Sequence, residues 1–147
     1  MRVGAEQARE WFAGARVARL ATADADGRPH VVPVTFALLG DVVVFAVDHK
    51  PKTTARLRRL ANIESNSQVS VLVDEYHDDW RQLRWARADG TASILRGDDG
   101  RGTRAAALRE LCDKYPQYAA RPPEGALVRI AVNRWSGWSA ACDGPTR

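Results

Sequence analysis

The chain has 147 residues, 45% hydrophobic and 27% charged, a balance that excludes a disordered or fibrous chain and supplies one core. No apolar run reaches the ~18 residues of a membrane-spanning helix. The formal net charge of +4 raises nucleic acid as a partner, but Asp74, Glu75, Asp78, Asp79, Asp98 and Asp99 interleave with the basic residues and no nucleic-acid-binding motif accompanies them, so that class is set aside.

The opening residues lack the apolar centre of a signal peptide, which predicts a cytoplasmic protein. Cys112 and Cys142 have no zinc-like or redox-pair spacing and read as thiols. Of the 22 basic residues only three are lysine, and two of them, Lys50 and Lys52, are one residue apart.

In chain order, Ala5, Ala8, Trp11 and Phe12 recur at helical spacing, and Gly14 ends that helix. Arg16 to Thr22 alternates as a strand and enters the turn formers Asp24 to Pro29, predicting a hairpin. The second strand, His30 to Leu38, contains Pro33, which donates no ladder hydrogen bond and belongs at an edge, a bulge or a place where another group approaches the backbone. Leu39-Gly40-Asp41 turns the chain, and Val42 to Val47 is a β-branched run suited to a buried strand.

Asp48 to Lys52 breaks that strand. From Thr53 the pattern is helical, with Leu57, Leu60 and Ile63 on one face and Arg56, Arg58 and Arg59 toward water or a ligand. Val69 to Val73 is a strand, Tyr76 to Trp80 a polar loop, and Leu83 to Leu95 a long strand bulged at Gly90 in preference to a hairpin at Asp89-Gly90. Thr103 to Tyr118 reads as a helix with Ala106, Leu108, Leu111, Cys112 and Tyr115 inward. Ala126 to Val132 is the last strand, leading to Trp135-Ser136-Gly137-Trp138.

These elements predict one domain over residues 1–147. It is mainly β, a six-stranded antiparallel barrel with helices at the N-terminus, after the third strand and before the last.

Lys50, Lys52 and Arg56 stand at or just before a helix start, where the free N–H groups already carry partial positive charge and acids are preferred. A bound anion, held with the Thr53 and Thr54 hydroxyls and backbone amides, resolves that conflict; a solvated basic loop is the other reading. At Val32-Pro33-Val34-Thr35 a flat ring has room, or the proline simply blocks edge-to-edge aggregation. Trp80, in a loop, is a candidate cofactor cover or interface anchor, whereas Trp85, Trp135 and Trp138 read first as packing residues. His30, His49 and His77 lack metal-ligand spacing, and no phosphate-binding glycine loop or nucleophile elbow is present. Chemistry on this chain therefore points to a cofactor.

Five stretches in order, Ala18 to Thr22, Asp26 to His30, Lys50 to Thr53, Leu57 to Leu60 and Val69 to Asp74, together resemble the pyridoxamine 5′-phosphate oxidase-like superfamily, in particular its F420-dependent branch. The resemblance runs from about Arg16 to Leu95, with Gly137-Trp138 as a looser point. It implies a split β-barrel, the FMN-binding split-barrel fold, assembled as a two-fold homodimer with two cofactor sites between subunits. It implies further that Val32, Pro33, Val34 and Thr35 run beside the ring system and that Lys50, Lys52 and Thr53 hold the cofactor phosphate. Trp80 and the segment Trp135 to Trp138 would approach from the partner subunit or cover the rim.

The residues with which the true oxidase recognises pyridoxal phosphate are not found, so vitamin B6 oxidation is not expected. The implied activity is an F420H2-dependent oxidoreductase passing a hydride to an electron-poor small molecule, with coenzyme F420 as cofactor. The alternatives are an FMN-dependent oxidoreductase and a carrier of F420, FMN or haem without turnover. Thr35, His30 and Arg81 are candidate proton donors, and no metal site is expected.

Overall fold

The structure, a computed structural model, describes residues 1–47, 54–97 and 101–141, and for 54–57 the backbone alone. Its elements are β1 (Arg2–Val3), α1 (Ala5–Gly14), β2 (Ala18–Ala23), β3 (Pro29–Val34), β4 (Ala37–Leu39), β5 (Val42–Ala46), α2 (Thr54–Ser65), β6 (Gln68–Glu75), a 3₁₀ turn (Trp80–Gln82), β7 (Arg84–Leu95), α3 (Thr103–Lys114), α4 (Pro116–Ala120) and β8 (Leu127–Ser139).

The strands form one sheet in the order β3-β2-β6-β7-β8-β5-β4, with β1 added to β8, and the pairings are antiparallel. The two ends of that order, β3 and β4, follow each other in the chain and are not hydrogen-bonded together. Only Thr35 and Phe36 connect them, so the barrel is split at that point.

The mainly β antiparallel architecture is as expected, with eight described strands in place of six. One added strand is β1. The other arises because His30 to Leu38 is not continuous: Phe36 leaves the ladder, its N–H donating to the Tyr115 hydroxyl at 3.1 Å and its carbonyl accepting from the same hydroxyl at 3.1 Å. A side chain thus satisfies backbone groups that a strand would have paired.

Alternation along the strands turns Leu20, Val34, Val43, Phe45, Val71, Val73, Ala86, Ala88, Val128 and Ile130 into the barrel interior. From α1, Ala8 and Phe12 enter this core, and the Phe12 ring lies 4.8 Å from Phe36 and 5.2 Å from Trp135. A second cluster covers the opposite face of β4, β5 and β8, where Ala37, Val44 and Leu127 meet Ala107, Leu111 and Tyr115. Val43 and Val44 are therefore buried on opposite faces of one strand, which explains the unbroken β-branched run.

The inward face of the late helix is Ala107 and Leu111 followed by Tyr115, while Ala106, Leu108 and Cys112 are only half-buried. Pro116, placed at the start of α4, breaks the expected single helix after Lys114, because proline cannot supply the donor that helix continuation needs. On α2, Ile63 is buried and Arg58 exposed, but Arg59 departs from expectation: it is half-buried, its guanidinium 5.9 Å from the Phe45 ring.

The stretch expected at Leu83 to Leu95 is one long strand without a hairpin at Asp89-Gly90, but the bulge beside Gly90 lies on its partner β8 and not on β7. The β7–β8 register runs Asp89↔Arg134 and then Gly90↔Val132, which leaves Asn133 of β8 as the extra residue. A Cβ on Gly90 would lie 2.3 Å from the Ala131 carbonyl oxygen, so only glycine permits this approach. The last strand runs seven residues beyond its expected end, to Ser139, because pairing with β7 and β1 carries Trp135 to Trp138 into the sheet. No described helix is long and apolar enough to cross a membrane.

Candidate functional site

The split edge is where the family resemblance implies a ring-binding strand. On β3, Val34 is buried in the core and Val32 packs against it, whereas Val31 is 61% exposed and Pro33 is also exposed. Of the residues Val32 to Thr35, then, only Pro33 and Thr35 present exposed side chains; Val32 and Val34 serve the barrel. β3 pairs with β2 alone, so one backbone edge is left open, and Pro33 removes a donor at an edge strand, where that loss is tolerated.

Thr35 stands at the end of this edge. Its hydroxyl is 2.9 Å from the Tyr118 hydroxyl of α4, and Thr35, Tyr115, Gln117 and Tyr118 line a pocket of about 240 Å³. The Tyr115 and Tyr118 rings meet edge to face at 5.6 Å. Tyr115 is nine-tenths buried, and its hydroxyl also faces the Arg16 carbonyl at 2.9 Å. Burial pushes the Tyr115 phenol above its ordinary pKa, so it holds its proton and donates.

Two cations stand beside this wall. The Arg16 guanidinium lies 4.9 Å from the Tyr115 ring centre, and the Lys114 ammonium 5.4 Å from the same ring and 3.8 Å from the Phe36 ring. Lys114 donates one long hydrogen bond, 3.3 Å, to the Ala13 carbonyl at the end of α1. Burial, and then the Arg16 charge, lower its pKa to about 8.

A second recess, of about 120 Å³, lies between the β2–β3 turn and α2, lined by Asp24, Arg28, Pro29, His30, Arg58 and Asn62. The turn is locked by Asp24, whose carboxylate accepts from the Asp26 and Arg28 backbone N–H groups at 2.9 Å. The Arg28 N–H above all holds that carboxyl below its ordinary range. Asn62 is buried and donates to the Thr22 hydroxyl at 3.1 Å, fixing α2 to β2. His30 Nδ1 is buried with no hydrogen-bond partner among the described residues.

The candidate proton donors fall in different surroundings: Thr35 in the tyrosine pocket, His30 in the α2 recess, and Arg81 on the 3₁₀ turn. Arg81 is held bidentately by Asp79 at 3.0 Å for each bond and is highly exposed. Trp80 is 68% exposed on the same turn, near Tyr76, which is 70% exposed. Trp135 is engaged within the subunit, packed on Phe12 and donating from Nε1 to Asp41 at 3.1 Å.

Lys50, Lys52 and Thr53 lie outside the described residues, as does Cys142. Cys112 is a free thiol, donating to the Tyr118 carbonyl at 3.3 Å. No group of three or more histidine, cysteine or carboxylate side chains is placed to hold a metal among the described residues.

Sequence reasoning missed Tyr118, Gln117 and Lys114. The one signal was the proline at position 116, read as an end of helix and not as the bend that turns Tyr118 toward Thr35.

The chain matches the protein family described as Pyridoxamine 5'-phosphate oxidase over residues 5–139. Among solved structures it is similar to a FAD-binding protein from Mesorhizobium loti, at 24% identity over 93% of this chain and 95% of that one, with a TM-score of 0.71. It is similar to HutZ, the heme storage protein from Vibrio cholerae, at 19% identity over 91% and 92%, with a TM-score of 0.68. The FAD binding protein from Mycobacterium smegmatis is similar at 20% identity over 94% and 97%, with a TM-score of 0.62. At such identities the likeness concerns the fold. Among curated proteins none matches the chain. With a family match that runs from α1 to the end of β8, and a sheet split between β3 and β4, the chain belongs to the Pyridoxamine 5'-phosphate oxidase family.

Proposed function

We propose that this protein binds a flavin-type cofactor along the open edge of β3 and acts as an F420H2-dependent reductase of an electron-poor small molecule. The observation that carries this reading is the edge itself: a strand paired on one side only presents exposed Val31 and Pro33, then leads directly to the Thr35 hydroxyl and its pocket. A flat apolar surface ending in hydroxyl groups suits a ring with an apolar face and a polar rim. The relatives described as FAD-binding support a flavin-type ligand on this fold.

When bound, such a cofactor supplies hydride transfer. The chain's own part is to hold and orient. Pro33 and Val31 offer a surface for the ring, Thr35 a hydroxyl at its rim, and Lys50, Lys52 and Thr53 charge and hydrogen bonds for the phosphate. The recess beside α2 adds the Arg28 and Arg58 guanidinium groups, with the Asp24 carboxylate between the same walls.

We propose a homodimer as the working unit. Val17 and Val31 are 42% and 61% exposed, and Val31 stands in register with Ala21, which pairs with Ser70. Beside these small neighbours, which line a recess of about 360 Å³, the exposed Val31 side chain is apolar surface that a second copy can bury. Trp80 and Tyr76 project from the β6–β7 connection, where they would reach a partner's site. A Val31→Glu variant is expected to elute as a monomer; an unchanged dimer, or a monomeric wild type, refutes this arrangement.

The deciding experiment for the cofactor is expression in a host that makes F420, extraction of the bound small molecule, and its spectrum and mass. F420 supports the leading reading, and FMN the alternative enzyme. Haem supports a carrier, as does bound cofactor with no acceptor turnover; that reading is favoured by the haem storage relative and by the separation of His30, Thr35 and Arg81. Lys50→Ala and Lys52→Ala are each expected to weaken F420 or FMN binding by at least ~1 kcal/mol, the scale of a lost charge-assisted hydrogen bond.

A further inference from the structure

We infer that the open edge of β3 selects its ligand through the backbone of Val31: it takes a flat ring whose rim carries an N–H beside a C=O, a cyclic amide or imide, and rejects a rim of acceptors alone. The identity of that ring as a cofactor rests on the flavin-type reading above.

The β2–β3 turn fixes which backbone groups face outward. The Asp24 N–H donates to the Arg28 carbonyl at 3.1 Å and closes the hairpin. In an antiparallel ladder such hydrogen-bonded pairs alternate with pairs whose N–H and C=O groups point away from each other. The register continues Ala23↔Pro29, Thr22↔His30, Ala21↔Val31, Leu20↔Val32 and Arg19↔Pro33. His30 and Val32 therefore bond to β2, whereas the backbone groups of Pro29, Val31 and Pro33 face the open edge. All three residues are exposed, and no described strand pairs with β3 on that side.

Two of the three are proline, which has no N–H to donate. The edge thus displays the carbonyls of Pro29, Val31 and Pro33 and a single donor, the Val31 N–H. This pattern does not suit an added β-strand. A strand brings N–H and C=O groups in equal number, and its carbonyls opposite Pro29 and Pro33 would find no donor, at the cost of an unmade bond for each.

Val31 alone offers N–H and C=O side by side, the arrangement with which two residues of a ladder exchange a pair of bonds. A cyclic amide carries the same donor and acceptor on neighbouring atoms of a flat ring and satisfies both. The Pro29 and Pro33 carbonyls, about 14 Å apart along the strand, accept from further N–H or hydroxyl groups and repel carboxylates. A flavin or deazaflavin ring has an imide edge of this kind. Haem, with carboxylates and no N–H at its rim, does not.

The test titrates FMN and F420, each against its derivative methylated at the imide nitrogen, into the protein and follows ligand fluorescence. Methylation removes the N–H and keeps the ring, and is expected to weaken binding about 10-fold, the scale of one lost hydrogen bond that leaves a carbonyl unpaired. Two substitutions isolate the other bond. Val31→Pro deletes the donor at a position that does not bond to β2, and Val31→Ala shortens the same side chain but keeps the N–H. Val31→Pro should bind the unmethylated cofactor about 10-fold more weakly than Val31→Ala, with thermal melting to check that both fold; if Val31→Pro does not, the methylation comparison on wild type decides. Equal affinity for a cofactor and its methylated derivative, or for Val31→Pro and Val31→Ala, overturns the edge assignment and leaves the flavin-type reading standing. Failure of both FMN and F420 to bind overturns both. If the imide N–H is required as described while no acceptor is turned over, the edge assignment stands and the reductase reading falls.

Discussion

Replacing Tyr115 by phenylalanine removes one oxygen and leaves the ring, so it isolates the hydroxyl that pins the split in the barrel. That hydroxyl accepts from Phe36 N–H at 3.1 Å and faces the Arg16 and Phe36 carbonyls at 2.9 and 3.1 Å. Phe36 is fully buried. In Tyr115→Phe its N–H loses this acceptor and meets no water, at a cost of roughly 1–3 kcal/mol for an unsatisfied buried donor. The hydroxyl's own proton served one of the two carbonyls, and losing that bond adds about 0.5–1.5 kcal/mol. The expected destabilisation is about 2–3 kcal/mol, and for a chain of this length it lowers Tm by roughly 5–10 °C. Urea unfolding followed by tryptophan fluorescence measures it, and the m-value should not change, because the same surface is exposed. Tyr118→Phe is the control. Its hydroxyl partner is exposed Thr35, so water replaces the lost bond and the cost stays below ~1 kcal/mol. A Tyr115→Phe loss under ~0.5 kcal/mol, or equal losses in the two variants, refutes the view that Tyr115 holds the split strand.

Lys114 gives a pH dependence of defined sign. Its folded pKa is about 8 against an ordinary 10.5, so between these values the native state binds fewer protons than the unfolded chain and stability rises with pH. Melting wild type and Lys114→Met side by side from pH 7 to 10 should show the difference moving in favour of wild type above pH 8; a flat difference contradicts it. Gly90→Ala places a Cβ 2.3 Å from the Ala131 carbonyl oxygen, and the forced backbone shift is expected to cost about 1–3 kcal/mol, read as a lower urea midpoint. Phe12→Ala empties a fully buried ring site between Phe36 and Trp135 and should cost roughly 3–5 kcal/mol; near-ultraviolet circular dichroism should report the loosened Trp135, and a native spectrum with unchanged stability counts against its place in the core.

Much of the architecture follows from local chemistry alone. The hairpin at Asp24 to Pro29 needs a carboxylate that folds back on its own backbone and a glycine at φ +82°, and Asp24 and Gly27 supply both. The run Val42 to Val47 has no polar face, so it had to be covered on both sides, and the barrel core and α3 do so. Gly90 in a strand marked a close approach of two backbones, although position 133, on the other strand, carries the extra residue. An antiparallel β-barrel with helices was legible for this reason: alternation, turn formers and glycines act over a few residues, and few topologies satisfy them together; that the barrel is split was implied only by the family resemblance of five ordered stretches.

The site depends on contacts that no local rule encodes. Tyr118 reaches Thr35 across 83 residues, and Tyr115 reaches Phe36 across 79. Such pairs exist only once α3 has docked on β4 and β5 and Pro116 has bent the chain. Tertiary packing likewise divided Val32 to Thr35 into inward and outward side chains, tied Trp135 into the core, and sent His30, Thr35 and Arg81 to different places. Strand periodicity marks which residues alternate, but only the closed sheet decides which face is inside and what crosses its open edge.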